Sequence, residues 1–155
     1  MGNESDPISN EIVYYEVLDI TLKEMEQKRE FEVTWRNLKS EPVRTYKLLL
    51  PKLSSLKDVT TELKKLVTLE TKSQQIRFLE ISNNKIHSIL PPEEDLAALS
   101  NLFTVSAEEV PDEDKDMENS ISIYIAHYTK SYTIRNFGNP TVLSIPKVMY
   151  IFMHY

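Results

Sequence analysis

Three histidines, two runs of closely spaced carboxylates and a complete lack of cysteine limit the chemistry open to this 155-residue sequence. Without cysteine there is no disulfide, no thiolate zinc site and no thiol nucleophile. His87, His127 and His154 are dispersed and never fall into the H-E-x-x-H spacing that puts two imidazoles on one helix face, so no histidine metal set is expected. His127, beside Tyr124 and Tyr128, reads as a structural histidine. No G-x-S-x-G elbow exposes any serine beside a base. Asp112, Asp114, Asp116 and Glu118 have the alternating carboxylates of a calcium loop, but its sixth position is Met117 and its twelfth Ile123, where a glycine and a bidentate glutamate are required. A solvated linker is the expected role of that run. Glu93, Glu94 and Asp95 read as surface. Gly2 and Gly138 are the only glycines, which rules out the phosphate-cradling G-x-G-x-x-G and G-x-x-x-x-G-K loops. The residues thus nominate no catalytic, cofactor-binding or metal-binding site.

A net charge of −6 opposes a phosphate-neutralising surface, and basic residues gather only in pairs such as Lys64 and Lys65, so no nucleic-acid partner is expected. The first residues lack the basic start and apolar run of a signal peptide, and no apolar stretch approaches a membrane span. Asp6 stands where a myristoylation signal needs Ser or Thr, and the Asn3-Glu4-Ser5 sequon has no role without a secretory route. The expectation is an intracellular protein, in nucleus or cytoplasm, without a membrane partner.

With chemistry so limited, the elements are the more informative part of the chain, and the clearest is the stretch 53–71, LSSLKDVTTELKKLVTLET. Leu53, Leu56, Val59, Leu63, Leu66 and Val67 recur at three and four, which predicts one buried helical face. Ser55 and Asp58 make a capping box, starting the helix near Leu56. Before it, residues 12–20 read as extended and 21–28 as a short helix with Leu22 and Met25 inward. Phe31, Val33 and Trp35 alternate with Glu32, Thr34 and Arg36 as a half-buried strand, 39–42 turns, and 43–50 returns. After it, 75–81 is a strand with Ile76 and Phe78 inward and Leu79 beside them. Residues 82–84 turn, 85–90 form a strand, 96–99 one helical turn, and 102–110 a last strand with Phe103 and Val105 on one face. The order β-β-α-β-β-turn-β predicts an α+β, ubiquitin-like β-grasp fold, a mixed sheet wrapped around one helix. Beyond it, 121–128 reads as a strand, Phe137 to Pro140 as a turn and 141–145 as the returning strand.

The runs YYEVLDITLKEMEQKREFEVTW, LKDVTTELKKLVTL, IRFLEISNNKI, ISIYIAHYTK and FGNPTVLSI, in that order over residues 14–145, resemble the C-terminal region of the ubiquitin carboxyl-terminal hydrolase 7 family, the herpesvirus-associated ubiquitin-specific proteases (HAUSP). That resemblance implies two ubiquitin-like domains in tandem within a cysteine-type deubiquitinase, outside its catalytic domain. In that family the region recruits partners and helps switch the catalytic domain on, partly through a tail after the last domain. Here the catalytic Cys, His and Asp boxes are absent, and KVMYIFMHY from Lys147 lacks the helix and strands a second β-grasp needs. A fragment or truncated form is therefore expected, without activation by the tail.

The implied organisation is a segment with a short helix at 1–30, a ubiquitin-like domain at 31–110, an acidic linker at 111–120 and an incomplete second ubiquitin-like domain at 121–155. A non-catalytic regulatory and protein-interaction region accounts for the residues better than an intact ubiquitinyl hydrolase or a modifier, which would need a diglycine end in place of His154-Tyr155. A stand-alone β-grasp adaptor is the remaining alternative. Protein partners are expected, a deubiquitinase catalytic domain or its clients among them. In the truncated second domain Ile121, Ile123, Ile125, Val142 and Ile145 are expected to lack a surface to bury against, so that the hairpin self-associates unless it docks on the first unit or on another chain, and removal of everything after Val110 is expected to cost little.

Overall fold

A computed structural model describes Tyr15, Val17 and residues 21–99, 104–114, 119–130 and 132–147. The chain is α+β, with a mixed five-stranded sheet and a separate two-stranded sheet. Helix α1 (Leu22–Gln27) leads into strands β1 (Lys28–Arg36) and β2 (Pro42–Pro51), helix α2 (Leu56–Leu66) and strands β3 (Ile76–Ser82), β4 (Lys85–Leu90) and β5 (Thr104–Glu109). A 3-10 turn (Asp112–Asp114) precedes β6 (Ser120–Lys130) and β7 (Ile134–Pro146). The five strands lie in the order β2-β1-β5-β3-β4, all neighbours antiparallel except the parallel β1–β5 pair.

The central helix starts as its sequence dictates. The Asp58 carboxylate accepts from the Ser55 N–H at 2.8 Å, and the next amides, of Leu56 and Lys57, donate to the carbonyls of Glu94 and Pro92 at 3.0 and 2.8 Å. The loop 91–96 thus satisfies donors that a helix start leaves orphaned, while Lys64 and Lys65 sit in the last turn, where the helix dipole favours cations. Leu56, Val59 and Leu63 are wholly buried against Phe31, Val33, Trp35, Leu48, Leu50 and Phe78. The predicted face is longer than the real one. Leu53 precedes the helix and is 90 % exposed, and Leu66, on its final turn, is 53 % exposed. Val67, at the C-cap, packs half-buried against the same core as predicted.

Other expectations shift for local reasons. Thr21 and Glu24 cap α1, but six residues without a packing partner leave Leu22 and Met25 exposed rather than inward. Asn83 and Asn84, at φ 50° and 56°, make the two-residue turn that matches the twist of β3 and β4. Residues 96–98 form a turn, not a helical one, yet Leu96 is fully buried. Phe103 and nearly all of the 12–20 segment fall outside the described residues.

The largest departure is in the hairpin. Residues 137–140 do not turn it; β7 runs through them to Pro146. Ile125 pairs with Thr141 and His127 with Phe137, so Ala126 alone faces Gly138, Asn139 and Pro140. This is a large bulge, made possible by Gly138 at φ +70° and by Pro140, which has no amide to contribute to a ladder. The turn signal was real, but it bends a strand instead of ending it.

Leu63→Ala should cost about 2–5 kcal/mol in denaturant unfolding, because the side chain is fully buried mid-helix. Leu53→Ala should stay within about 0.5 kcal/mol, as expected of an exposed site. Equal costs would place the buried face of α2 elsewhere.

Candidate functional site

The five-stranded sheet has two unlike faces, and the face away from α2 shows what the fold does with the rest of the chain. Over β1 and β2 it is polar and open: Lys47 bridges Glu30 at 3.0 Å and Glu32 at 2.9 Å, and the Thr34 and Thr45 hydroxyls meet at 3.0 Å. Lys47 donates hydrogen bonds to Glu32 and Glu30, and these push its pKa up to about 12. Over β3 and β4 the same face turns apolar. Leu79 and Ile86 are buried there, with Ile81 and Ile89 beside them, and Val142 of β7 packs on them at 5 % exposure.

Val142 is therefore not stranded, and the premise that residues after Val110 can be removed at little cost is absent from this arrangement. The hairpin docks through Val142.

Between the two regions lies a cluster of buried charge that alternation alone assigned to solvent. Strand register brings Arg36 of β1 and Arg77 of β3 opposite the same residue of β5, Glu108. All three are 2–6 % exposed. Arg77 donates from Nε to Glu108 Oε1 at 2.8 Å, with Nη2 at the same distance, and its Nη1 reaches Asp114 at 3.4 Å. Arg36 Nε lies 3.7 Å from Glu108 Oε2. Arg36 also donates from Nε and Nη2 to the Ser40 carbonyl at 3.1 and 2.6 Å, and from Nη2 to the carbonyl of Pro140 in the β7 bulge. Burial pushes the Arg36 guanidinium down from its usual value, Glu108 pushes it back up and Arg77 lowers it again. One side chain thus ties together β1, the left-handed Ser40 turn at φ 61°, β5 and the bulge of the hairpin.

The neighbouring acids belong to the same structure. Glu109, 4 % exposed, accepts from the Glu70 and Thr71 amides and the Thr71 hydroxyl, and Asp112 accepts from the Lys72 and Ser73 amides at 3.2 Å. Asp112 and Asp114 are therefore engaged by the fold rather than solvated; Asp116 and Glu118 fall outside the described residues. Glu93 and Asp95 are exposed as expected, while their loop caps α2 through its backbone. His127 packs against Phe137 at 5.8 Å, His87 is exposed on β4, and His154 falls outside the described residues. Among the described residues no three His, Asp or Glu side chains group as metal ligands. Nothing in this arrangement activates a nucleophile. What it can do is hold a hairpin rigidly against a sheet and present the hairpin's other face.

Arg77→Met should destabilise the chain by about 3–5 kcal/mol in chemical denaturation, since it leaves Glu108 buried with Arg36 alone at 3.7 Å. A change under about 1 kcal/mol would mean that water reaches the cluster.

Residues 12–147 match the profile described as Ubiquitin-specific protease C-terminal. The chain is 34% identical over 143 residues to Ubiquitin C-terminal hydrolase 13 of Arabidopsis thaliana, covering 88% of this chain and 13% of that protein. With Ubiquitin carboxyl-terminal hydrolase 7 of Drosophila melanogaster it shares 27% identity over 145 residues, 85% of this chain and 13% of that one. The sequence thus corresponds to about an eighth of the length of these relatives, and by its matched span the chain belongs to the ubiquitin-specific protease C-terminal family.

Proposed function

We propose that this chain is a non-catalytic, ubiquitin-like regulatory and protein-interaction region of a deubiquitinase. The observation that carries the reading is the match itself: it confines the chain to the C-terminal region of proteins named as ubiquitin hydrolases, and the chain contains no cysteine to serve as a thiol nucleophile. The fold supports it. A β-β-α-β-β-β order with strands arranged β2-β1-β5-β3-β4, a central parallel pair and one helix packed on a single face supports reading it as a ubiquitin-like β-grasp. In this reading residues 31–110 form that domain, 111–120 connect it to the hairpin, and β6–β7 open a second unit of the same kind. Its partners are proteins, a deubiquitinase catalytic domain and that domain's clients first among them.

The purified chain should release no fluorophore from a ubiquitin C-terminal fluorogenic substrate at micromolar concentration over hours. Turnover above the buffer rate that co-elutes with the protein and survives cysteine-directed inhibitors would overturn the reading.

A further inference from the structure

The five-stranded sheet has two edges, and the fold treats them differently. Both strands of the β6–β7 hairpin lie against β4, at one edge. At the other edge β2 pairs only with β1, within a unit whose five strands and helix are all described. The Lys52 amide donates to the Gln27 carbonyl at 3.0 Å, and in the register that continues from it every second residue of β2 turns its N–H and C=O towards β1. Thr45, Lys47 and Leu49 lie between those residues, so their backbone groups point out of the sheet. Among the described residues none of these groups has a hydrogen-bond partner.

Charged side chains ordinarily guard such an edge against other strands. Lys47 is the one charge at the three positions, and it is folded back over β1 onto Glu30 and Glu32 at 3.0 and 2.9 Å. Aliphatic side chains flank the edge instead. Leu49, 42 % exposed, is on the face away from α2. Leu53, 90 % exposed, lies in a groove of about 370 Å³ between β2 and α2, lined also by Leu50, Pro51, Asp58 and Glu62. Charge gives a further constraint. On the outer face Glu30 and Glu32 share the single ammonium of Lys47; in the groove Glu62 is bridged by Lys65, while the Asp58 carboxylate is met by the Ser55 amide and hydroxyl. Each side of the edge therefore carries a carboxylate in excess.

We infer that the β2 edge takes an extended segment of another protein as a sixth strand, aliphatic at its centre and basic at its ends. The unpaired groups identify the occupant as a polypeptide backbone, because a strand presents donors and acceptors at the same two-residue spacing. Along Thr45 to Leu49 the contact is about 17 Å long at roughly 3.4 Å per residue, enough for about five residues of the partner. Backbone pairing supplies affinity, an aliphatic side chain beside Leu50 and Leu53 supplies specificity, and the excess carboxylates select basic ends. The inference rests on the reading of the chain as an interaction region, which the ubiquitin-substrate assay tests separately.

The test uses the full chain, isotopically labelled, and synthetic nine-residue peptides with a valine and isoleucine centre, one with lysine ends and one with glutamate ends. The lysine-ended peptide should shift the Thr45, Lys47 and Leu49 amides saturably, at least about threefold more tightly than the other at low salt, with the gap closing as salt rises. N-methylation of the peptide at every second residue should weaken binding about tenfold or more in one frame and spare it in the other, since only one set of amides faces β2. Leu53→Asp, at an exposed position, should weaken binding about tenfold with the spectrum of the core intact. Equal effects of the two N-methylated frames, equal binding of both end types, or shifts confined to other strands would overturn the inference. So would slow hydrogen exchange of the Thr45, Lys47 and Leu49 amides in the free chain, which would show the edge already paired, or a concentration-dependent dimer lost in Leu53→Asp, which would make a second copy its occupant.

Discussion

Glu108 stands at the centre of this structure, on the middle strand of the sheet with an arginine on either side. A carboxylate removed from water this thoroughly is tolerable only when cations are fixed beside it, and strand register supplies both: Arg36 from the parallel neighbour and Arg77 from the antiparallel one. Each arginine then carries the constraint outward. Arg77 reaches Asp114, ordering the chain just after β5, and Arg36 reaches the Ser40 turn and the Pro140 carbonyl. Arg36 Nη1 and Glu108 Oε2 have no hydrogen-bond partner among the described residues, so the cluster is imperfectly satisfied. Such a cluster contributes little net stability compared with an apolar core. Its contribution is specificity: only one placement of the hairpin puts the bulge carbonyl on Arg36 while Val142 covers Leu79 and Ile86.

That division of labour explains the two surfaces of the hairpin. Apolar side chains on α2 and the inner sheet face supply the free energy of folding, and the polar cluster chooses where the second sheet sits. A ribbon of two strands has two faces. Once the bulge and Val142 commit one of them to the first sheet, the other, rich in isoleucine, must look outward.

Much of this was legible in the residues. The order of elements followed from period-two runs around Phe31, Val33 and Trp35 and from the three-four spacing of Leu56, Val59 and Leu63, because each reports burial on a single face. The family resemblance rested on long runs in fixed order and agrees with the matched span. What the residues hid shares one cause: burial imposed by a distant segment. Alternation placed Arg36 in solvent, since nothing local announces that Pro140, 104 residues later, will cover it. Asp112 and Asp114 looked like a charged linker because their partners, the amides of Lys72 and Ser73 and the guanidinium of Arg77, lie about forty residues upstream. The one available hint was in β3 and β4, where Leu79, Ile81, Ile86 and Ile89 make the strands apolar on both faces, as strands covered from two sides are. Gly138 and Pro140 misled for the opposite reason: a bulge and a turn ask for the same residues.

The central claim is that the hairpin and the five-stranded sheet are held in one orientation. Residual dipolar couplings of backbone amides, measured for β1–β5 and for β6–β7 in a single aligned sample of the full chain, test it most directly. A fixed orientation predicts that one alignment tensor of common magnitude and direction fits both sets. Two tensors of different magnitude, with the β6–β7 couplings averaged towards zero, would show a hairpin moving independently of the sheet and would contradict it.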